Sequence, residues 1–302
     1  MKAVIFGAGG QDGHYLSRLC ASHDVEVLAY SRSEGPWLRG DVGDLPTVEA
    51  LVSRHRPDYI FHLAANSTTR HEALFENHRT ICDGTLNILE SCLRHHPQAR
   101  IFLTGSGLQF ENRGVAISER DEFSATSPYA LARIQSVYAG RYFRSRGLKV
   151  YVGYLFHHES PLRKASHVAR QISAAVARIA AGSPETIELG DIAVEKEWTF
   201  AGDVAQAIWT LTNQSSVFEA IIGSGRLYSI RDWLHCCFSV VGMDWADHVH
   251  QRTGFVAEYP RLWCDASTIR SLGWQPKVAI EQLASMMVQS DIDAKGENAP
   301  AP

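Results

Sequence analysis

Short apolar runs and amphipathic stretches alternate along the first half of the chain. Residues 3–6 are apolar and stop at glycine, and the following residues 13–20 bring Tyr15, Leu16 and Leu19 onto one helical face. The same reading predicts strands over 25–30 and 59–63 and a helix over 45–54, each bounded by Asp, Pro or Gly. A helix over 84–94, a strand over 100–104, a long helix over 128–146 and a strand over 150–156 continue the pattern. Such alternation predicts an α/β fold with a doubly wound parallel sheet and right-handed crossovers, its first part ending near residue 160. Beyond it the pattern becomes irregular, with helical stretches at 168–181 and 202–212 and a strand-like piece within 184–198. A smaller second part over 161–290 follows, and the loss of periodicity from Asp291 predicts a flexible tail over 291–302.

The chain has 302 residues, enough for one large domain or two unequal parts sharing a cleft. A formal net charge of -4 provides no basic field for gathering nucleic acid or an anionic membrane surface. The six cysteines show no C-x-x-C spacing, and MKAVIFGAGG runs straight into a motif without the marks of a signal peptide, so a reduced cytoplasmic setting is expected. No apolar run approaches the roughly 20 residues needed to cross a bilayer. The 14 histidines are scattered, and His95-His96, His157-His158 and His248/His250 lack the helical pairing with a carboxylate that zinc chemistry uses, so no metal is expected.

Gly7, Gly10 and Gly13 stand at G-x-x-G-x-x-G spacing in GAGGQDG, between the first strand and the first helix. In a Rossmann βαβ unit the first glycine permits the turn, the second lets backbone approach a pyrophosphate, and the third lets the helix pack on the sheet. The loop therefore predicts dinucleotide binding, with Gln11 and Asp12 alongside. A site for NAD would place a carboxylate at the end of the second strand, whereas here Ser31 and Arg32 offer a hydroxyl and a guanidinium to a 2′-phosphate. NADP(H) is the expected cofactor. Asp41 and Val42 lie where the chain should reach the adenine, and Leu63, Ala64 and Ala65 close the third strand with residues that let backbone pass close to the cofactor.

Chemistry is predicted at Ser106, after the strand at 100–104, and at Tyr129 and Arg133, which are four apart and share one helical face. Free tyrosine has a pKa of about 10, so acid–base work near neutrality calls for a fixed cation beside it and a hydroxyl donor such as Ser106. Taken alone, a Tyr-x-x-x-Arg is more often an aromatic anchor followed by a solvated cation.

GAGGQDG, HLAA at 62–65, the Ser106 segment and SPYALAR together resemble the extended short-chain dehydrogenase/reductase family, whose catalytic set is Ser/Thr, Tyr and Lys. FHHESPLR at 156–163, HVAR at 167–170, LGD at 189–191 and Glu197-Trp198 are similar to the corresponding run in GDP-mannose 4,6-dehydratases and the related GDP-4-keto-6-deoxymannose reductases. The resemblance extends to GWQP at 273–276. It implies a substrate-binding second part closing over a nucleotide-sugar diphosphate, with Phe156 and His158 at the cofactor and Ser106, His157, Glu159, Arg170 and Lys196 at the substrate. It also implies a homodimer formed through the helices at 84–94 and 128–146.

Four positions depart from that pattern: Arg133 stands for the family lysine, His157 for an Asn, and Lys196 for an Arg. Leu108 stands where the dehydratases carry the glutamate that removes the C5 proton. Reduction of a 4-keto group needs no such base, so an NADP(H)-dependent reductase of a GDP-type 4-keto-6-deoxyhexose is expected first. A dehydratase using Glu111, Glu119 or Glu122 instead, a C4 epimerase, and a cofactor-binding protein that has lost catalysis stay open.

Overall fold

The computed structural model describes residues 1–296. In chain order the first part comprises β1 (Lys2–Phe6), α1 (Gln11–Ser22), β2 (Glu26–Ser31), β3 (Leu38–Arg39), α2 (Leu45–His55), β4 (Tyr59–His62), α3 (Leu74–Asn77) and α4 (Gly84–His95). It continues with β5 (Arg100–Ser106), α5 (Pro128–Ser145) and β6 (Lys149–Leu155). There follow β7 (His158–Glu159), α6 (Val168–Ala180), β8 (Ile187–Leu189), β9 (Glu195–Lys196), β10 (Thr199–Phe200), α7 (Ala201–Thr212) and β11 (Glu219–Ile222). The chain ends with β12 (Tyr228–Ser229), α8 (Ile230–Ser239), β13 (Val249–Gln251), β14 (Arg261–Leu262), α9 (Ser267–Ser271) and α10 (Ile280–Gly296).

Seven parallel strands form the central sheet in the order β3-β2-β1-β4-β5-β6-β11. The interior strands β1, β4 and β5 are almost wholly buried, as their unbroken apolar sequences require when helices cover both faces. The chain winds outward through β1, β2 and β3, then crosses to β4 and winds the other way. Between β1 and β4 this reversal opens a crevice at the carboxyl ends of the strands. The strand expected to stop at 104 continues to Ser106, which therefore sits on the rim of that crevice.

Later segments return to the first layer: β11 pairs with β6, and α7 packs on α1. The second part has its own core among α6, α8 and α10, where Trp198 and Trp233 stack with ring centroids 4.6 Å apart. Helix α10 runs past the point where the sequence loses its periodicity. Asp291 is buried there, ion-paired with Arg170 at 2.7 Å and accepting from Ser173 Oγ at 2.8 Å. A buried charge breaks the hydrophobic count without ending the helix, so the expected flexible tail does not begin at Asp291. Positions 297–302 of that tail lie outside the described residues.

The α5 helix opens on Ser127, whose hydroxyl accepts from the amide of Ala130, with Pro128 in the first turn. Its far end is tied to the sheet by Glu219 on β11. That carboxylate takes both Arg141 Nε and Nη2 (3.0 and 2.7 Å), Arg144 Nη1 (2.9 Å) and the hydroxyl of Tyr154 (2.6 Å). Burial alone would raise its pKa, but these partners hold it down at about 2. Glu219→Gln is expected to lower unfolding stability at pH 7 by about 2–3 kcal/mol in urea titrations. The wild-type advantage should be full above pH 4.5, the ordinary value, and disappear as pH falls toward about 2.

Candidate active site

The turn from β1 into α1 is fixed by backbone contacts that exclude side chains. Gly7 has φ +94°, and a Cβ there would stand 2.7 Å from the amide nitrogen of Ala64, while one at Gly13 would strike the carbonyl of Gly7. Gly13 thus sets helix against turn and lies behind the crevice. No side chain caps α1 at Gly10, so its first turn opens into the crevice.

Gln11 and Asp12 engage the other half of the molecule. Gln11 donates to the carbonyl of His158 (3.1 Å) and accepts from Ser160 Oγ (2.8 Å). His158 places Nε2 2.8 Å from Asp12 and Nδ1 2.7 Å from the carbonyl of Phe156. Burial disfavours charge on His158, but Asp12 outweighs it and raises the imidazole pKa above its ordinary value. For Asp12 burial acts upward, and the charge and hydrogen bond of His158 bring the carboxyl below its ordinary value. Both ring nitrogens face oxygen acceptors, the Phe156 carbonyl and the Asp12 carboxylate, an arrangement that favours the protonated imidazole. These three side chains, expected at the cofactor, make this junction and also border the central cavity.

On the β1–β3 side the crevice is bordered by Gly7, Gly10, Ser31, Arg32 and Val42, and by Leu63, Ala64 and Ala65 from the end of β4. Asp41 does not border it; its carboxylate accepts from the amide of Gly43 and pairs with Arg79 at 3.1 Å. Arg32 is held at 3.0 Å by Glu76, which also accepts from Asn66. Ser31 Oγ lies 3.0 Å from Ser33 Oγ, and Trp37 folds back over Gly9 while donating to the carbonyl of Ser33. No carboxylate terminates β2. These features fit a dinucleotide: bare backbone at the turn, a short polar patch at the end of β2, and small residues at the end of β4.

The central cavity, about 290 Å³, brings together Ser106, Tyr129, Arg133, Phe156, His157, His158, Glu159 and Lys196. Ser106 closes β5 with a capping box: its Oγ accepts from the amide of Leu108 (3.2 Å), and its own amide donates to Gln109 (2.8 Å). Tyr129 lies in the first turn of α5. Arg133, one turn on, has its guanidinium carbon 5.1 Å from the Tyr129 ring centroid and donates Nη1 to the carbonyl of Thr104 at 2.7 Å. It is buried without an ion-pair partner among the described residues. Its charge adds to burial in holding the pKa of His62 at about 3, so that imidazole is neutral.

Leu108 borders the same cavity, and the carboxylates that do so are Asp12 and Glu159. Asp12 is committed to His158, and Glu159 lies 3.1 Å from Arg163. Glu111 and Glu122 pair with Arg113, and Glu119 accepts from the amide of Ile221; none of the three borders the cavity. On the substrate side, His157 Nε2 and the hydroxyl of Tyr259 share a hydrogen bond (3.0 Å), and burial first, then Lys196, pushes the pKa of the ring well below its ordinary value. Lys196 is buried, its ammonium 4.6 Å from the Trp198 ring centroid, and it also borders an outer pocket with Asp191, Arg252 and Tyr259. Arg170 corrects the expectation: its side chain turns toward α10 to meet Asp291 and does not border the cavity. The site instead receives Arg163, Lys164 and His167, which the sequence reading missed. Their only signal was a cluster of cations between a strand end and a helix start.

A glycine turn at β1–α1, a serine closing β5 and a Tyr-x-x-x-cation pair opening α5, set round the switch point of a parallel sheet, define an extended short-chain dehydrogenase/reductase. The sequence profile of the GDP-mannose 4,6 dehydratase family matches residues 4–287, and the chain belongs to that family. GDP-mannose 4,6 dehydratase 1 of Arabidopsis thaliana is 29% identical over 323 residues, covering 96% of this chain and 90% of the plant protein. The Drosophila melanogaster enzyme of the same name is 26% identical over 344 residues, with 98% and 87% covered. Among solved structures, RMD from Pseudomonas aeruginosa complexed with NADPH superposes with a TM-score of 0.84 at 21% identity, covering 97% of this chain and 98% of that one. The UDP-glucose 4-epimerase of Thermotoga maritima with UDP-glucose gives 0.85 at 20% identity, covering 98% and 100%.

Asp12→Asn is expected to leave His158 as a neutral imidazole at pH 6, read by its nitrogen chemical shifts, and to cost about 3 kcal/mol of stability. The stability difference should be largest between pH 3.8 and 6.5, the ordinary values of the two groups. It should shrink below that window, as Asp12 protonates, and above it, as His158 loses its proton.

Proposed function

We propose that the protein is an NADP(H)-dependent reductase of a nucleotide-linked 4-keto-6-deoxyhexose, with GDP as the nucleotide suggested by its family. The observation that carries this reading is Leu108 in the catalytic cavity, together with the commitment of both bordering carboxylates to cationic partners. Abstraction of a C5 proton needs a free base there, and reduction does not. NADPH in the RMD structure and the absence of a carboxylate at the end of β2 support NADP(H) over NAD. Arg32 then exchanges Glu76 for the 2′-phosphate or shares itself between them.

A bound NADPH supplies the hydride for C4. Tyr129 gives its phenolic proton to the carbonyl oxygen, and Ser106 Oγ, already held by the amide of Leu108, orients that oxygen with its free hydroxyl proton. Arg133 over the ring face stabilises the negative charge that Tyr129 acquires. Lys196, buried at the junction of the two substrate-side cavities, is placed to meet the sugar-nucleotide diphosphate. The exposed faces of α4 and α5, with Leu86, Leu131, Tyr138 and Tyr142, form the homodimer surface in this reading.

A second reading, 4,6-dehydration of GDP-mannose, is favoured by the names of the curated relatives. A third, dinucleotide binding without turnover, is favoured by Arg133 in the lysine position. Incubation with GDP-4-keto-6-deoxymannose and NADPH is expected to consume NADPH in step with sugar reduction, and Tyr129→Phe should cut that rate roughly 10²- to 10⁴-fold. Water loss from GDP-mannose without net use of NADPH would replace the reductase by the dehydratase. Tight NADPH binding with neither reaction would establish the third reading. Tyr138→Glu with Tyr142→Glu is expected to convert the dimer to a monomer in light scattering.

A further inference from the structure

The crevice read above as the dinucleotide site and the central catalytic cavity are separate spaces that share a short common border. Gly9, Gly10, Leu63, Ala65 and Lys164 line both, and Lys164 is the only charged residue among them. It comes from the loop between β7 and α6, in the part of the chain that forms the substrate side.

That loop is pinned where it carries the lysine. Ser160 is held by Gln11, the amide of Arg163 donates to the carbonyl of Ser160 (3.0 Å), and the amide of His167 donates to the carbonyl of Lys164 itself (3.1 Å). Neighbouring cations are already engaged: Arg163 with Glu159 and His167, Arg32 with Glu76, and Arg133 with the carbonyl of Thr104. The exposed Lys164 side chain has no hydrogen-bond or ion-pair partner among the described residues. Its charge contributes to lowering the pKa of Glu76 in the first half and of His167 in the second. The border that Lys164 shares with the central cavity contains the glycine turn and the end of β4 but neither Ser31 nor Ser33.

We propose that Lys164 binds the pyrophosphate of the dinucleotide, closing the phosphate site from the substrate half across from the glycine turn. The proposal rests on the dinucleotide reading of the crevice. It makes Lys164 a cofactor-retention residue: the loop that walls the sugar cavity also holds the cofactor's central phosphates, so release of one ligand requires movement of the segment facing the other.

The test is calorimetric titration of the full chain with NADPH and, separately, NADH, for the wild type, Lys164→Ala and Lys164→Arg. Lys164→Ala is expected to weaken both dinucleotides about tenfold, as loss of a charge-assisted contact does, and Lys164→Arg to restore most of the affinity. Unchanged affinity in Lys164→Ala would overturn the proposal. A loss confined to NADPH would move the contact to the 2′-phosphate and overturn the pyrophosphate assignment. Wild-type protein that binds neither nucleotide would overturn the dinucleotide reading and this proposal with it, an outcome distinct from both others.

Discussion

Two adjacent side chains of the glycine loop, Gln11 and Asp12, join the sheet to everything that closes over it. They reach the His158–Ser160 segment through one partly buried ion pair and two hydrogen bonds. An ion pair withdrawn from water is costly unless its geometry is good, so this junction depends on how α1 is set against the segment after β6. The glycine turn enforces one side of that requirement, since neither Gly7 nor Gly13 has room for a Cβ. The imidazole of His158 enforces the other, with one nitrogen on its own chain at Phe156 and the other on Asp12. Crevice and cavity thus share one rigid wall.

The electrostatics of the cavity follow from that wall. Its carboxylates are spent on holding cations in place, while the buried Arg133 and Lys196 have no carboxylate at ion-pair distance among the described residues. Buried charge of one sign is unfavourable in an empty protein and becomes favourable when an anion enters. The guanidinium of Arg133 over the Tyr129 ring likewise favours negative charge on that phenol. Leu108 fits such a cavity as an apolar wall.

Much of the architecture was legible in the sequence because parallel strands buried on both faces read as unbroken apolar runs, and the intervening helices show one apolar stripe. The glycine turn and the Ser106, Tyr129 and Arg133 set were legible for a different reason: each is a local pattern whose chemistry depends on spacing of a few residues. Long-range charge pairing was not legible. Arg170 has the spacing of a site residue, but Asp291, far along the chain, determines where it points, and the same pair keeps α10 helical where periodicity fails. Gln11 and Asp12 likewise sit in a cofactor motif while their side chains serve the junction with residues 158–160. Arg163, Lys164 and His167 lie in a loop without periodicity, so only the fold reveals that they face the cavity.

Arg133 shows how a substitution at the centre of such a site is accommodated. An ammonium in this position would be a point charge able to turn toward the phenol oxygen or a ribose. A guanidinium is planar and wider, and here it lies against the face of Tyr129 while one nitrogen is anchored on the carbonyl of Thr104. The anchor comes from β5, two residues before Ser106, so the cation's position is set by the strand that carries the hydroxyl. Hydroxyl, phenol and cation therefore move as one unit. Arg133 Nε has no partner of its own among the described residues, so the anchor on Thr104 is made by Nη1 alone.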